Sequence, residues 1–170
     1  ERLDELHFRV HTREGRAYEA WRVVLAIGRR GVPRKLGVPG EDGAHVQYAL
    51  REPEAYAGDR VVVVGGGDSA VEAALALADQ AGTVVRVSYR RANFSRVKPA
   101  NRERIGAALA EGRLEVLWET EPVEIGPARI VLARNGDTLD VPADQVFVFI
   151  GGELPTSFLR DCGIRIDTKF

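Results

Sequence analysis

Six consecutive residues, Gly65-Gly66-Gly67-Asp68-Ser69-Ala70, hold the densest concentration of chemistry-bearing positions in the chain. Gly65, Gly67 and Ala70 fall on the spacing G-x-G-x-x-G/A. Glycine at the first position permits a tight turn. At the second it lets a pyrophosphate approach the main chain, and a small third residue lets a helix pack close to a strand. The open N–H groups of a helix's first turn, with the positive end of its dipole, then hold the phosphates. Ser69 adds a hydroxyl donor. A carboxylate at Asp68 would repel a pyrophosphate, so Asp68 is expected to turn back and cap its own helix. Glu72, one turn further on, is expected either as a solvated helix residue or near the ligand.

The second set of residues is basic. In folds that bind NAD through such a turn, an acid about 20 positions past the glycines bonds the ribose 2′-hydroxyl. Here that neighbourhood, Val87 to Arg91, contains no Asp or Glu. Arg90 and Arg91 stand there instead, with Arg96 and Lys98 close behind. A 2′-phosphate is doubly anionic, and guanidinium meets phosphate with a planar, bidentate donor set. The missing acid also removes a repulsion, so attraction and lack of rejection both favour NADPH over NADH.

Such residues need a strand, a turn and a helix to position them. RVVVV (60–64) is a short apolar run without alternation, as in a buried parallel strand. The glycines follow it directly, and an alanine-rich helix runs to about residue 81. TVVRVSY (83–89) predicts the next strand, and NRERIGAALAEG (101–112) a second helix stopped by Gly112. HVQYALREPEAY, within 44–58, predicts a short helix limited by Pro53. From residue 113 the pattern changes. RLEVLWET, ARIVLAR and DTLDV read as an antiparallel meander, with a turn at Asn135-Gly136-Asp137. A last apolar strand covers 146–150. Upstream, LHFRVHT (6–12) and AYEAWRVVLAIG (17–28) predict a hairpin around REGR, and the segment 29–43, rich in glycine with Pro33 and Pro39, reads as a linker. The expected fold class is α/β: a Rossmann-like NAD(P)-binding domain with a central parallel sheet plus an antiparallel β-meander.

Composition limits the alternatives. The chain has 170 residues and a net charge of −1, so no global field points to nucleic acid or a membrane surface. No stretch approaches the ~20 apolar residues of a membrane helix. One cysteine, Cys162, excludes an internal disulfide framework or a cysteine metal cluster within these residues, and fits a reducing, cytoplasmic setting. The chain lacks methionine and opens at Glu1 in mid-pattern, which leads to the expectation of a piece excised from a longer protein. His7 and His11 share a strand face without further ligands, and His45 is isolated, so no metal site is expected. No catalytic residue is assigned to these 170 positions.

VVVVGGGDSAVEAALALA (61–78) followed by SYRRANFSR (88–96) resembles the NADPH domain of the thioredoxin-reductase-like flavoproteins, within the pyridine nucleotide-disulfide oxidoreductase superfamily. VVLAIGRRGVPRKLGVPGE (23–41) is similar to the strand and turn by which such chains leave their FAD domain. VFVFIGGELPTSFL (146–159) is similar to the return segment. The resemblance implies edge strands of a split FAD domain and linker over 1–43, an NADPH-binding domain over 44–151 and a return segment over 152–170. It implies NADPH phosphates at Gly65 to Ala70, a 2′-phosphate at Arg90, Arg91 and Arg96, and the nicotinamide half near Ile150 and Gly151. It also implies FAD in the full-length protein, a homodimer, and hydride passing from NADPH to flavin and on to a redox partner protein or small disulfide.

Two departures narrow the branch. The stretch before the glycine strand, AHVQYALREPEAYAG, lacks the Cys-x-x-Cys of the small thioredoxin reductases, and a dithiol relay needs two thiols. Ser95 stands where that family often has a third arginine, with Arg96 one place later. Both features resemble the bacillithiol-disulfide-reductase-like proteins and the thioredoxin-reductase-type ferredoxin–NADP reductases. A stand-alone nucleotide-sensing module is the competing reading; the strand–Gly–Pro segments at both ends favour the oxidoreductase.

Overall fold

The computed structural model describes residues 7–25, 33–152 and 156–165. It divides the chain into two compact units, Glu1–Arg30 and Gly31–Phe170. In the smaller one, β1 (Phe8–His11) pairs antiparallel with β2 (Ala17–Ala20), Phe8 opposite Ala20. Arg9 Nη2 meets Glu19 Oε1 at 2.7 Å across the pair. The hairpin is therefore present, but β2 stops at Ala20 rather than running on. β1 offers only four residues of partner; 21–25 are not strand, and 26–28 lie outside the described residues.

The larger unit begins with a structured segment where a linker was expected. Glu41, 7% exposed, accepts hydrogen bonds from the Leu36 and Gly37 N–H groups and from the Tyr48 hydroxyl at 2.5 Å. Next comes β3 (Val46–Gln47), then a single 3-10 turn at Pro53–Tyr56. These replace the short helix predicted for 44–58. Pro53 lacks the N–H that would continue a helix, and Val46 gains more by lying beside Val146 in the sheet.

The core then assembles as the apolar runs require. β4 (Arg60–Val64), α1 (Asp68–Ala78), β5 (Val84–Tyr89), α2 (Pro99–Ala110) and β6 (Leu114–Trp118) follow in order. β7 (Glu121–Gly126), β8 (Arg129–Arg134) and β9 (Asp137–Pro142) form an antiparallel sheet of three strands. β10 (Gln145–Val148) returns to the main sheet, and α3 (Thr156–Asp161) follows. The main sheet has the order β3-β10-β4-β5-β6, with every neighbouring pair parallel.

The meander starts later than the sequence pattern predicts. RLEVLWET is not its first strand: β6 pairs parallel with β5, Val87 opposite Val116, and belongs to the main sheet. The first meander strand is β7, which the sequence pattern hides because Pro122 and a register shift between Pro122 and Glu124 break its alternation.

Alternate valines of β4 divide the interior. Val61 and Val63 face α1 and α2, together with Ala70, Ala74 and Leu77. Val62 and Val64 face the meander side, with Ile130, Leu132 and Val146. All four valines are at most 3% exposed, so a strand buried on both faces explains the unbroken run. The alanines of α1 let the helix lie close to the sheet. At the amino ends of the strands, opposite the glycine turn, Arg60 and Asp144 tie the starts of β4 and β10. Asp144 Oδ2 accepts from the Arg60 N–H at 2.9 Å and from Nε at 2.8 Å, and Asp144 N–H donates to the Arg60 carbonyl at 2.7 Å.

Candidate functional site

The carboxyl ends of β10, β4 and β5 carry the candidate residues. Ile150 and Gly151 follow β10, the glycine turn follows β4, and Arg90 and Arg91 follow β5. The chain leaves β4 for β5 on one side and fills the other side with β10 only at the end. A crevice outside the strand ends, where the order reverses, is where open α/β sheets bind ligands.

Each glycine of the turn has its own reason. Gly65 has φ +143°, and a β-carbon there would stand 2.4 Å from the Phe149 carbonyl oxygen and 3.1 Å from the Ala70 β-carbon. This agrees with the expected tight turn and shows how closely Ala70, fully buried, lies beneath it. Gly66 is buried for a reason the motif does not show: a β-carbon would fall 2.1 Å from the Tyr89 ring. At Gly67 a β-carbon would meet no protein atom within 4 Å. With φ −100° and ψ 178°, its backbone suits any residue, so nothing in the chain itself demands glycine there. The open side of Gly67 is the room that a phosphate would use. Ser69 is exposed beside it, at the second position of α1.

Asp68 does not cap its own helix, contrary to the sequence reading. Gly67 occupies the N-cap position, with no side-chain cap bond. The Asp68 carboxylate turns to the start of α2: Oδ1 accepts from the Lys98 N–H at 3.0 Å and from Asn101 Nδ2 at 2.8 Å. Asn101 Nδ2 also donates to Glu72 Oε1 at 2.8 Å, which places Glu72 in this cluster. The physical reason is supply of donors. Lys98 is the N-cap residue of α2, whose first N–H groups have no partner within that helix. The amide of Asn101, in turn, holds the Asp68 carboxyl below its ordinary range, with the Lys98 N–H acting in the same direction. Asn101 has no sequence signal, because its partners lie about thirty residues away.

Arg90, Arg91 and Arg96 are all exposed on the segment between β5 and α2, and none has an ion pair among the described residues. The segment is anchored by its apolar members. Phe94 stacks on Tyr89 with ring centres 5.4 Å apart and planes 13° apart, and Val97 is 2% exposed. The Arg102 guanidinium donates to the Val97 carbonyl at 3.0 Å and the Ser95 carbonyl at 3.4 Å. Three guanidiniums thus stand on a held segment next to an open glycine turn. Such an arrangement suits a ligand with phosphates at two places.

Gly151 has φ +98° and is exposed, and its N-terminal neighbour Ile150 packs on the core. Its carbonyl accepts the Arg34 N–H at 3.1 Å, and Pro33 and Gly152 form an isolated antiparallel bridge. The entering and leaving segments of this unit therefore run side by side. Cys162 is exposed and unpaired with any other cysteine. Among the described residues, no cluster of three His, Cys, Asp or Glu side chains could hold a metal, and no helix is long and apolar enough to cross a membrane.

The geometry has counterparts among known proteins. The ferredoxin–NADP reductase of Ignicoccus hospitalis is 34% identical over 165 residues, covering 93% of this chain and 52% of that protein. That of Thermus thermophilus is 38% identical over 171 residues, covering 94% and 50%. Among solved structures, the bacillithiol disulfide reductase of Bacillus cereus superposes with a TM-score of 0.88 at 30% identity, covering 98% of this chain and 52% of that one. The chain thus spans about half the length of the curated relatives it matches. The family model for pyridine nucleotide-disulphide oxidoreductases matches residues 1–170, and the chain belongs to that family.

Proposed function

We propose that this chain is the NADPH-binding module of an FAD-dependent oxidoreductase. The observation that carries the reading is the pairing of β4 with β5, Val64 opposite Ser88, which sets the open turn at Gly67 beside the segment bearing Arg90, Arg91 and Arg96. The N–H groups after Gly65 and the Ser69 hydroxyl would hold the pyrophosphate. The three arginines would hold the 2′-phosphate, and no carboxylate on that segment opposes it. Ile150 and Gly151 would border the nicotinamide half. FAD, bound by other parts of the full-length protein, would supply the acceptor for the hydride. No residue of this chain is assigned to the flavin.

The acceptor beyond the flavin is a small disulfide or a redox protein. A second reading within the same class, a ferredoxin acceptor, is supported by the names of the 34% and 38% identical relatives and by the lack of a second cysteine for a dithiol relay in these residues. The single exposed cysteine supports a reducing, cytoplasmic setting. A homodimer of the full-length protein goes with the family resemblance, and sedimentation of that protein tests it.

Titration of the chain with NADPH and NADH tests the cofactor. NADPH is expected to bind at least about tenfold more tightly, from charge-assisted contacts of roughly 1.5–3 kcal/mol each reduced by solvent exposure. Equal affinities overturn the reading. In the full-length protein, a bound flavin that NADPH bleaches is expected; its absence would favour the nucleotide sensor. Steady-state reduction of a ferredoxin against bacillithiol disulfide separates the acceptors.

A further inference from the structure

We infer that Asn101 is a positioning residue for NADPH selectivity: through Asp68 it sets where the arginine segment stands relative to the glycine turn. This rests on the proposed NADPH reading. The segment leaves β5 at Tyr89 and enters α2 at Pro99, and each end is tied to the glycine turn by a different contact. At the first end, the Tyr89 ring fills the space beside Gly66. At the second, the Lys98 N–H and Asn101 Nδ2 both donate to Asp68 Oδ1, one residue past Gly67, at 3.0 and 2.8 Å. Arg90, Arg91 and Arg96 lie between these two ties.

Asn101 suits the task in a way few side chains would. It is 7% exposed, and its one NH₂ group bridges two carboxylates of α1, Asp68 and Glu72, a helical turn apart. Without that bridge two like charges at i and i+4 would face the start of α2 with one donor between them, the Lys98 N–H. The bridge also holds the Asp68 carboxylate on the start of α2. Asn101 itself needs no contact with nucleotide. Its effect is to keep three exposed, flexible cations at a fixed reach from the pyrophosphate turn, so that less of their freedom is lost on binding.

The role separates from simple scaffolding because NADH lacks the 2′-phosphate. Loosening the second tie should move affinity for NADPH and leave NADH nearly alone. The test is calorimetric titration of the 170-residue chain and its variants with both nucleotides, with a thermal melt of each. In Asn101→Ala the NADPH preference, Kd(NADH)/Kd(NADPH), is expected to fall about five- to tenfold, with NADH affinity changed less than about twofold. Asp68→Ser, at a half-exposed position, breaks the same tie from the other side and should shift the ratio in the same direction if Asn101→Ala does not fold. Asp68→Asn keeps an oxygen to accept the Lys98 N–H and should retain most of the preference. A preference unchanged in both Asn101→Ala and Asp68→Ser overturns the inference, as does equal weakening of both nucleotides in folded variants. Lack of preference in the unsubstituted chain overturns the NADPH reading instead.

Discussion

The Tyr89 ring lies so close to Gly66 that a single β-carbon at residue 66 would fall 2.1 Å from it. Strand β5 thereby presses its last aromatic residue onto the turn that follows β4, and the arginines begin one residue later. The contact makes Gly66 a structural glycine, while Gly67 beside it has open space. The two neighbours should therefore fail differently when substituted.

Gly66→Ala must move an aromatic ring that also stacks on Phe94, and is expected to destabilise the chain by about 1–3 kcal/mol, as overpacked cores do. Thermal or urea unfolding measures it. Pairing it with Tyr89→Leu should recover part of the loss, since the clash is with the ring.

Gly67→Ala should leave stability within about 0.5 kcal/mol, because its backbone angles suit alanine and its β-carbon meets nothing in the protein. Binding should still drop for NADPH and NADH alike, since both bring a pyrophosphate to that surface. A variant that binds both nucleotides normally would remove Gly67 from the site.

Arg90→Ala and Arg91→Ala should each weaken NADPH about tenfold, the lower part of the range for a charge-assisted contact at an exposed position, while NADH changes little. Arg96→Ala should follow the same pattern, and an unchanged NADPH affinity would remove Arg96 from the site. Fluorescence titration of the three single variants decides the role of each arginine.

Salt gives an independent check on the same cations. All three arginines are exposed, so their attraction to a 2′-phosphate is screened over a Debye length of about 10 Å at 0.1 M. NADPH affinity should fall with added NaCl more steeply than NADH affinity, and the difference in slope should shrink in the Arg90→Ala, Arg91→Ala double variant.

Acid stability should depend on the opposite end of the strands, where β4 and β10 begin. The Arg60 guanidinium, and after it the Arg60 N–H, hold the Asp144 carboxyl well below its ordinary value of 3.8. A depressed carboxyl stabilises the fold above its unfolded value, and that contribution is lost as pH falls through the folded one. Asp144→Asn should therefore lower stability at pH 7 and make it less steeply dependent on pH below about 4. Urea midpoints across pH 2–7 for both chains measure the difference.

Much of this arrangement was legible in the residues. Four valines, three glycines and a run of alanines specify a buried strand, a turn and a close-packed helix by local sterics and burial alone. The replacement of an acid by Arg90 and Arg91 specifies charge, and charge does not depend on the details of packing. Where pairing partners decide structure, the pattern was insufficient. RLEVLWET has the apolar content of either kind of strand, and only β5 makes it parallel. HVQYALREPEAY contains helix-forming residues, yet β10 draws Val46 into the sheet.

The sequence by itself determined the strand–glycine–helix turn, the family and the sign of the charge on the segment after β5, because these depend on residue type at short spacing. Only the tertiary structure decided that Asp68 serves the second helix, that Asn101 bridges Asp68 to Glu72, and that Tyr89 makes Gly66 obligatory. Those are contacts between groups some twenty to thirty residues apart, brought together by the crossover from β4 to β5 and α2. Local pattern carries no information about distance across a fold, and at this site distance decides which polar group answers which.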